Sequence, residues 1–139
     1  MKKMLVVLFF GFLYCSGQPG PKDTVFDFIR AVYDSDSTSI VRILDVDAYI
    51  RKQMVPMSPE DSATVLEEYR TKTIQSLLGD GPKRAYWLKS QILVNKEHIN
   101  DGFAEVDVSF IDKDTGVLRY TRIQLERQPD DSWKIVYFQ

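Results

Sequence analysis

One cysteine and one histidine are all that 139 residues hold of the side chains most used for metal and redox chemistry. Cys15 has no partner for an internal disulfide, and no His/Cys/Asp cluster stands at metal-ligand spacing, so a structural zinc site is excluded. The chain also lacks a glycine-rich phosphate loop, a Gly-x-Ser-x-Gly elbow and a Cys–His pair. No cofactor is implied. Basic excess is missing too: 18 Lys and Arg against 20 Asp and Glu give a net charge of −2. Loss of Lys2 and Lys3 with a leader would take it to about −4. Such a chain is not built to track a phosphate backbone, and nucleic acid is not an expected partner. The apolar run Met4 to Tyr14 falls short of the roughly 20 residues a membrane span needs.

What is present at the amino end is the layout of an export leader. Met1-Lys2-Lys3 is a short positive region, the apolar run succeeds it, and small or turn-forming residues close it. Residues 1–20 therefore read as signal peptide and tether, and 21–139 as a single domain. A domain of that size can bury a real core without disulfides or metals. Phe12-Leu13-Tyr14-Cys15, continuing into Ser16-Gly17-Gln18-Pro19-Gly20-Pro21, resembles a bacterial lipoprotein signal. The resemblance implies that Cys15 becomes a lipidated N-terminus and that the membrane is a partner through that lipid. Tyr14 departs from it, standing where a small residue is expected. The rival reading is ordinary cleavage after Gly17, with Cys15 and Gly17 at the small-residue positions. Both place the domain outside the cytoplasm, either anchored in the cell envelope or free in the periplasm or medium.

Past the tether the chain turns to helical periodicity. Val25, Phe28, Ile29, Val32 and Tyr33 form an apolar stripe after Pro21, with Asp23 or Thr24 available as a cap. Asp36 or Ser37 can cap a shorter helix carrying Ile40, Val41, Ile43 and Leu44. Asp45 to Gln53 is ambiguous between a helix and a short strand around Ala48 to Ile50. Ser58-Pro59-Glu60-Asp61 is a helix start, with proline in the first turn and acids at the positive end. That helix should run to about Leu78 and stop at Gly79, with Ala63, Leu66, Tyr69, Thr73 and Leu77 near one face.

From about Arg84 onward the period changes to two. Ala104, Val106, Val108 and Phe110 alternate with Glu105, Asp107 and Ser109, and Val117, Ile123 and Leu125 share a face opposite Arg122, Gln124 and Glu126. A first strand is expected over Ala85 to Asn95 and a last one over Trp133 to Phe138. Asn100-Asp101-Gly102, Asp112 to Gly116 and Pro129-Asp130-Asp131 supply the turns, the second as a type I turn closed by a left-handed glycine. Three short turns between four strands make an antiparallel meander. The fold class is α+β, N-terminal helices packed on a curved four-stranded sheet.

The opening Pro21 to Tyr33, with its Val25, Phe28 and Ala31 spacing, resembles the first helix of the nuclear transport factor two-like superfamily. Asp131-Ser132-Trp133-Lys134-Ile135-Val136-Tyr137 is similar to that superfamily's final strand. The resemblance spans about 21–139 and implies a cone with a cavity between sheet and helices. Its look-alikes include small exported bacterial domains, often lipoproteins. Ketosteroid isomerase and other enzymes of the superfamily use carboxylates and tyrosines in the cone, but no motif here carries their positions across, and fold alone does not set activity.

Few residues are candidates for chemistry. Tyr33, Tyr49, Tyr69, Trp87 and Tyr120 could line a ligand cavity, aromatics giving apolar area with a polar handle, although such residues more often serve as core and rim. Glu105 and Asp107 pair on one strand face, where the alternation rule makes them a solvated surface beside Lys or Arg. His98 reads as an exposed turn residue. Two functions are compatible with this inventory. One is an exported, lipid-anchored, non-catalytic domain that binds an envelope protein or a small ligand. The other is a small cone enzyme of isomerase or dehydratase type using a buried acid and tyrosine.

Overall fold

The first third of the chain folds as three short helices. The second and third have a carboxylate cap for a free amide, whereas the first opens on Gly20 with no side-chain cap, so neither Asp23 nor Thr24 takes the expected N-cap position. The computed structural model describes residues 17–53 and 62–139. Cys15 with its leader, and the helix start at Ser58-Pro59, lie outside those residues. Helix α1, Pro21–Tyr33, begins where the Asp23 carboxylate accepts from the Gly20 amide at 3.3 Å, and it buries Val25, Phe28, Ile29 and Val32. Asp36 caps α2, Ser37–Ile43, accepting from the Ser39 amide at 3.1 Å. Asp45 does the same for Ala48 at 3.0 Å, so the ambiguous segment is helix α3, Val46–Gln53. The alternative of a short strand around Ala48 to Ile50 does not form; the nearby lone parallel bridge to Ile135 is made by Leu44, just before the segment.

Helix α4, Ser62–Ser76, departs from the expected face. Leu66, Ile74, Leu77 and Leu78 meet the core, whereas Ala63 is exposed and Tyr69 remains 45% exposed. The helix is turned so that Arg70 reaches α3. Its guanidinium donates to both carboxylate oxygens of Asp47, at 2.5 and 2.6 Å. A bidentate pair of that geometry fixes the rotation better than a weakly amphipathic sequence can.

The expected first strand needs correcting. Ala85 to Leu88 belong to a helix, α5, Pro82–Leu88, and the strand starts only at Ser90. Pro82 occupies the first helical turn, and the Ala85 amide donates back to the Gly81 carbonyl at 2.9 Å. Trp87 and Leu88, which look like strand residues in a run of apolar letters, fall one on each side of this helix: Trp87 is buried and Leu88 exposed. A short apolar run does not separate helix from strand by periodicity alone.

The sheet is a meander of β1, Ser90–Asn100; β2, Phe103–Asp112; β3, Leu118–Arg127; and β4, Trp133–Tyr137, every neighbouring pair antiparallel. Ala104, Val106, Val108, Ile123 and Leu125 face the helices and are fully buried. Irregularities between Val94 and Glu97 and between Gln124 and Leu125 bend the sheet around them. The β2–β3 hairpin closes as its sequence predicts: Gly116 takes φ 71°, its amide donates to the Asp112 carbonyl at 2.8 Å, and the Asp112 carboxylate accepts from Asp114 and Thr115. In the β1–β2 turn the left-handed position is Asp101, φ 53°, rather than its glycine neighbour.

Two features shape the surface between α5 and the sheet. The core is a cluster of rings: Phe28 sits edge-on to Trp87 and Phe138, and Phe138 lies 4.8 Å from Tyr49 and 5.8 Å from Trp87 between centroids. Burying each such side chain contributes about 1.5–3 kcal/mol, so this cluster is a main source of stability. The second feature is the shortness of β4. Its five residues pair only with Gln124–Arg127, and Leu118 to Ile123 has no β4 residue opposite.

Candidate functional site

Where β4 runs out, a cleft of about 400 Å³ opens between α5 and β3, with Gln139 at its far end. Its walls are Pro82, Lys83, Tyr86 and Trp87 of α5, Phe110 of β2, and Arg119, Tyr120 and Thr121 of β3. The aromatic wall is continuous: Phe110 lies 5.8 Å from Tyr86 and 5.7 Å from Trp87. Two cations border it, Lys83 half-buried and Arg119 exposed. The Lys83 ammonium stands 5.2 Å above the Phe138 ring and the Arg119 guanidinium 5.9 Å from that of Tyr86. Burial pushes the Lys83 pKa down from its ordinary value. Among the described residues neither cation is in an ion pair, and no Asp or Glu lines the cleft.

Two other depressions contrast with it. One of about 530 Å³, beside Gln18 and Pro19, sets Arg42 and Lys134 against Asp27 and Asp130, so its charge is balanced. The other, of about 360 Å³, lies on the sheet face turned away from the helices, around Asp107, Tyr120 and Arg122. There Arg122 donates to Asp107 at 2.9 Å and pairs with Glu105 at 3.3 Å, while His98 meets Asp107 at 3.3 Å. His98 is thus a strand residue with a cross-strand partner, not a turn residue. Glu105 and Asp107 are the salt-bridged, wet face that alternation predicts. Of these three depressions among the described residues, the cleft beside α5 concentrates charge of one sign without an answering side chain inside it.

Among the five aromatic residues singled out in the sequence, the fold brings Trp87 to this cleft, sets Tyr120 on the strand edge where it borders both this cleft and the outer depression, and leaves three elsewhere. Tyr33 joins α1 to α5 and β1, its hydroxyl shared between the carbonyls of Trp87 and Ser90 at 3.1 and 3.2 Å. Tyr49 is core, packed against Phe138 and Tyr137, with a buried hydroxyl that closes no hydrogen bond among the described residues. Burial pushes its pKa up, and the nearby Gln53 amide pulls only partly the other way. Tyr69 lies outside on α4, with Lys72 above its ring at 6.0 Å. Sequence reasoning misses Tyr86 because Ala85 to Asn95 reads as strand, and it assigns Lys83, just before that strand, to no element. Pro82 directly after Gly81 is the signal for the helix that presents them. Arg119 carries no such signal, being one polar letter among several on β3.

Besides the Tyr49 hydroxyl, the buried polar side chains among the described residues are Thr24, Ser90 and Ser109. The carboxyls with shifted pKa values, Asp36, Asp47, Glu68, Asp107, Asp112 and Asp130, are all held below the usual range by hydrogen bonds or neighbouring cations. Among these residues no group of three or more His, Cys, Asp or Glu could hold a metal ion, and no helix is long and apolar enough to cross a membrane. The lowered carboxyls set a pH response. Asp107, bonded first by Arg122 and then by His98, and Asp47, bonded by Arg70, have folded-state pKa values below their unfolded ones. Their contribution is present above about pH 4 and is lost as pH falls through the folded values. Urea midpoints should therefore hold level from about pH 7 to 5 and decline below about 4, less steeply in Asp107→Asn. A flat profile in the parent protein would contradict the Arg122 and Arg70 pairings.

A curved meander wrapped around helices is the NTF2-like fold, and solved structures bear this out. A Campylobacter jejuni protein named as an NTF2-like transpeptidase superimposes with a TM-score of 0.51 at 15% identity, over 87% of this chain and 100% of that one. A Shewanella frigidimarina protein named as a ketosteroid isomerase gives 0.52 at 17% identity, over 83% and 89%. At such identities the likeness establishes the fold and nothing about activity. No family model matches the sequence, and no curated protein matches it.

Proposed function

We propose that this domain is an exported, non-catalytic binding module that takes a carboxylate with an apolar body in the cleft between α5 and β3. The observation that carries the reading is the pair Lys83 and Arg119, bordering an aromatic wall with no acidic side chain beside them in a chain whose net charge is −2. A half-buried ammonium whose pKa is driven down by burial is a cost to the fold. An anion in the cleft would offset that cost, and the rings would cover its apolar part. The leader at Met1 to Tyr14 and the position of Cys15 support placement in the cell envelope, tethered by lipid. The enzyme reading needs a carboxyl with a raised pKa inside the cone. The shifted carboxyls among the described residues all move the other way.

The test is a titration with 3-phenylpropanoate, followed through the Trp87 indole N–H resonance. Lys83→Met and Arg119→Met should each weaken binding by about tenfold or more, the loss of one charge-assisted contact. Lys83→Met should melt no lower than the parent, because it removes a buried charge. Equal affinity in parent and variants would sink the cleft as an anion site. Placement is tested separately by the mass of the N-terminal peptide from native membranes. An acylated Cys15 supports the tether, and a free terminus at Gln18 refutes it.

A further inference from the structure

The ladder pattern shows what borders the cleft. The Asp112 amide donates to the Val117 carbonyl, and the Arg127 amide donates to the Gly102 carbonyl. Backbone direction alternates along a strand, so the odd-numbered residues of β3 bond to β2 and the even-numbered ones point the other way. Gln124 duly meets Tyr137 of β4. Leu118, Tyr120 and Arg122 point the same way, and among the described residues nothing accepts their N–H groups or donates to their carbonyls. Three successive edge positions therefore present a half-strand of open backbone, and the cleft lies directly alongside it. Such an edge is a template for another strand.

Resting on the reading of the cleft as an anion site, we infer that the ligand is an extended peptide segment of a partner protein, which adds to the sheet beside Leu118–Arg122 and sends an acidic side chain into the cleft. The two faces of the vacant strand position set the chemistry. On the helix side an added strand would run past Lys83 and Arg119, which calls for glutamate or aspartate. On the opposite side it would lie against Leu118 and Tyr120, 45% and 73% exposed, with Leu93 two strands further in at 42%. That side calls for valine, isoleucine or threonine. An alternating acidic and β-branched segment satisfies both faces, main-chain bonds supplying affinity and the alternate side chains specificity.

The probe is a short capped peptide alternating valine and glutamate, added to the full domain and followed by amide hydrogen exchange. Binding should slow exchange at Leu118, Tyr120 and Arg122 by about tenfold or more and leave Arg119 and Thr121, already bonded to β2, unchanged. The same peptide N-methylated at alternate amides keeps its carboxylates but loses donors, and it should bind at least about tenfold more weakly. Tyr120→Pro, which removes an edge N–H without touching the β2 ladder, should also weaken the peptide. Several results would overturn the inference. Equal affinity for plain and N-methylated peptides, with 3-phenylpropanoate still bound, would leave a small-anion cleft and no added strand. Edge protection that arises in the protein alone with a doubling of mass would mean that a second copy fills the edge. Binding of neither peptide nor 3-phenylpropanoate would remove the anion-site reading itself.

Discussion

Gly81→Ala is expected to cost about 3 kcal/mol, a drop of roughly 10 °C in melting temperature for a domain of this size. The cause is space, not dihedral strain. Gly81 has an ordinary negative φ of −57°, yet a Cβ there would drive into the backbone carbonyls of Gln75 and Ser76. Backbone cannot move aside as a side-chain tip can, so the turn between α4 and α5 must open. The comparison variant is Gly79→Ala, where φ is 51° and a Cβ would meet nothing. That change carries only the left-handed penalty, about 1–2 kcal/mol. Urea unfolding of both variants checks the ranking, and a Gly81→Ala midpoint at or above that of Gly79→Ala would contradict the close approach. Because α5 carries Lys83 and Tyr86, any folded Gly81→Ala protein should also bind anions poorly.

Arg84→Met is expected to cost about 2–4 kcal/mol. Its guanidinium donates to the Val32 carbonyl at 2.9 Å, the Tyr33 carbonyl at 2.7 Å and the Gly79 carbonyl at 2.8 Å. The first two are carbonyls at the end of α1, where the helix leaves its acceptors without intrahelical donors and favours a positive charge. One side chain therefore ties the end of α1 to the α4–α5 turn. Methionine keeps the apolar stem and removes the donors, so packing loss is small and the bonds dominate. Arg84→Lys restores charge but cannot span three carbonyls, and it should recover less than half of the loss. Full recovery by lysine would show that charge rather than the planar fork of donors holds the corner.

How much of this can be read from the chain depends on whether the determining contact is local. The β2–β3 hairpin is legible because Asp112 and Gly116 close it within a few residues. Helix α1 and the cap at Asp36 are legible for the same reason. The alternation of β2 announces both its buried face and the Glu105–Asp107 face. What escapes depends on contacts distant in sequence. Nothing near Arg70 signals that Asp47 will turn α4, and nothing near Trp87 says that Phe28 and Phe138 will bury it in a helix. The cleft escapes most completely, because it lies beside the part of β3 that pairs with no β4 residue among those described. A sequence has no letter for a missing partner, and Lys83 and Arg119 look like any surface cations until the fold faces them.

The ring cluster also has a consequence in time. Phe28 meets Phe138, and the Asp45 amide meets the Ile135 carbonyl, so the first third of the domain is closed by β4 and the residue just after it. A chain made amino end first holds Phe28, Ile40 and Tyr49 ready but uncovered until β4 has been synthesised. Early helices of this kind cannot complete a core on their own and stay exposed to association in the interval.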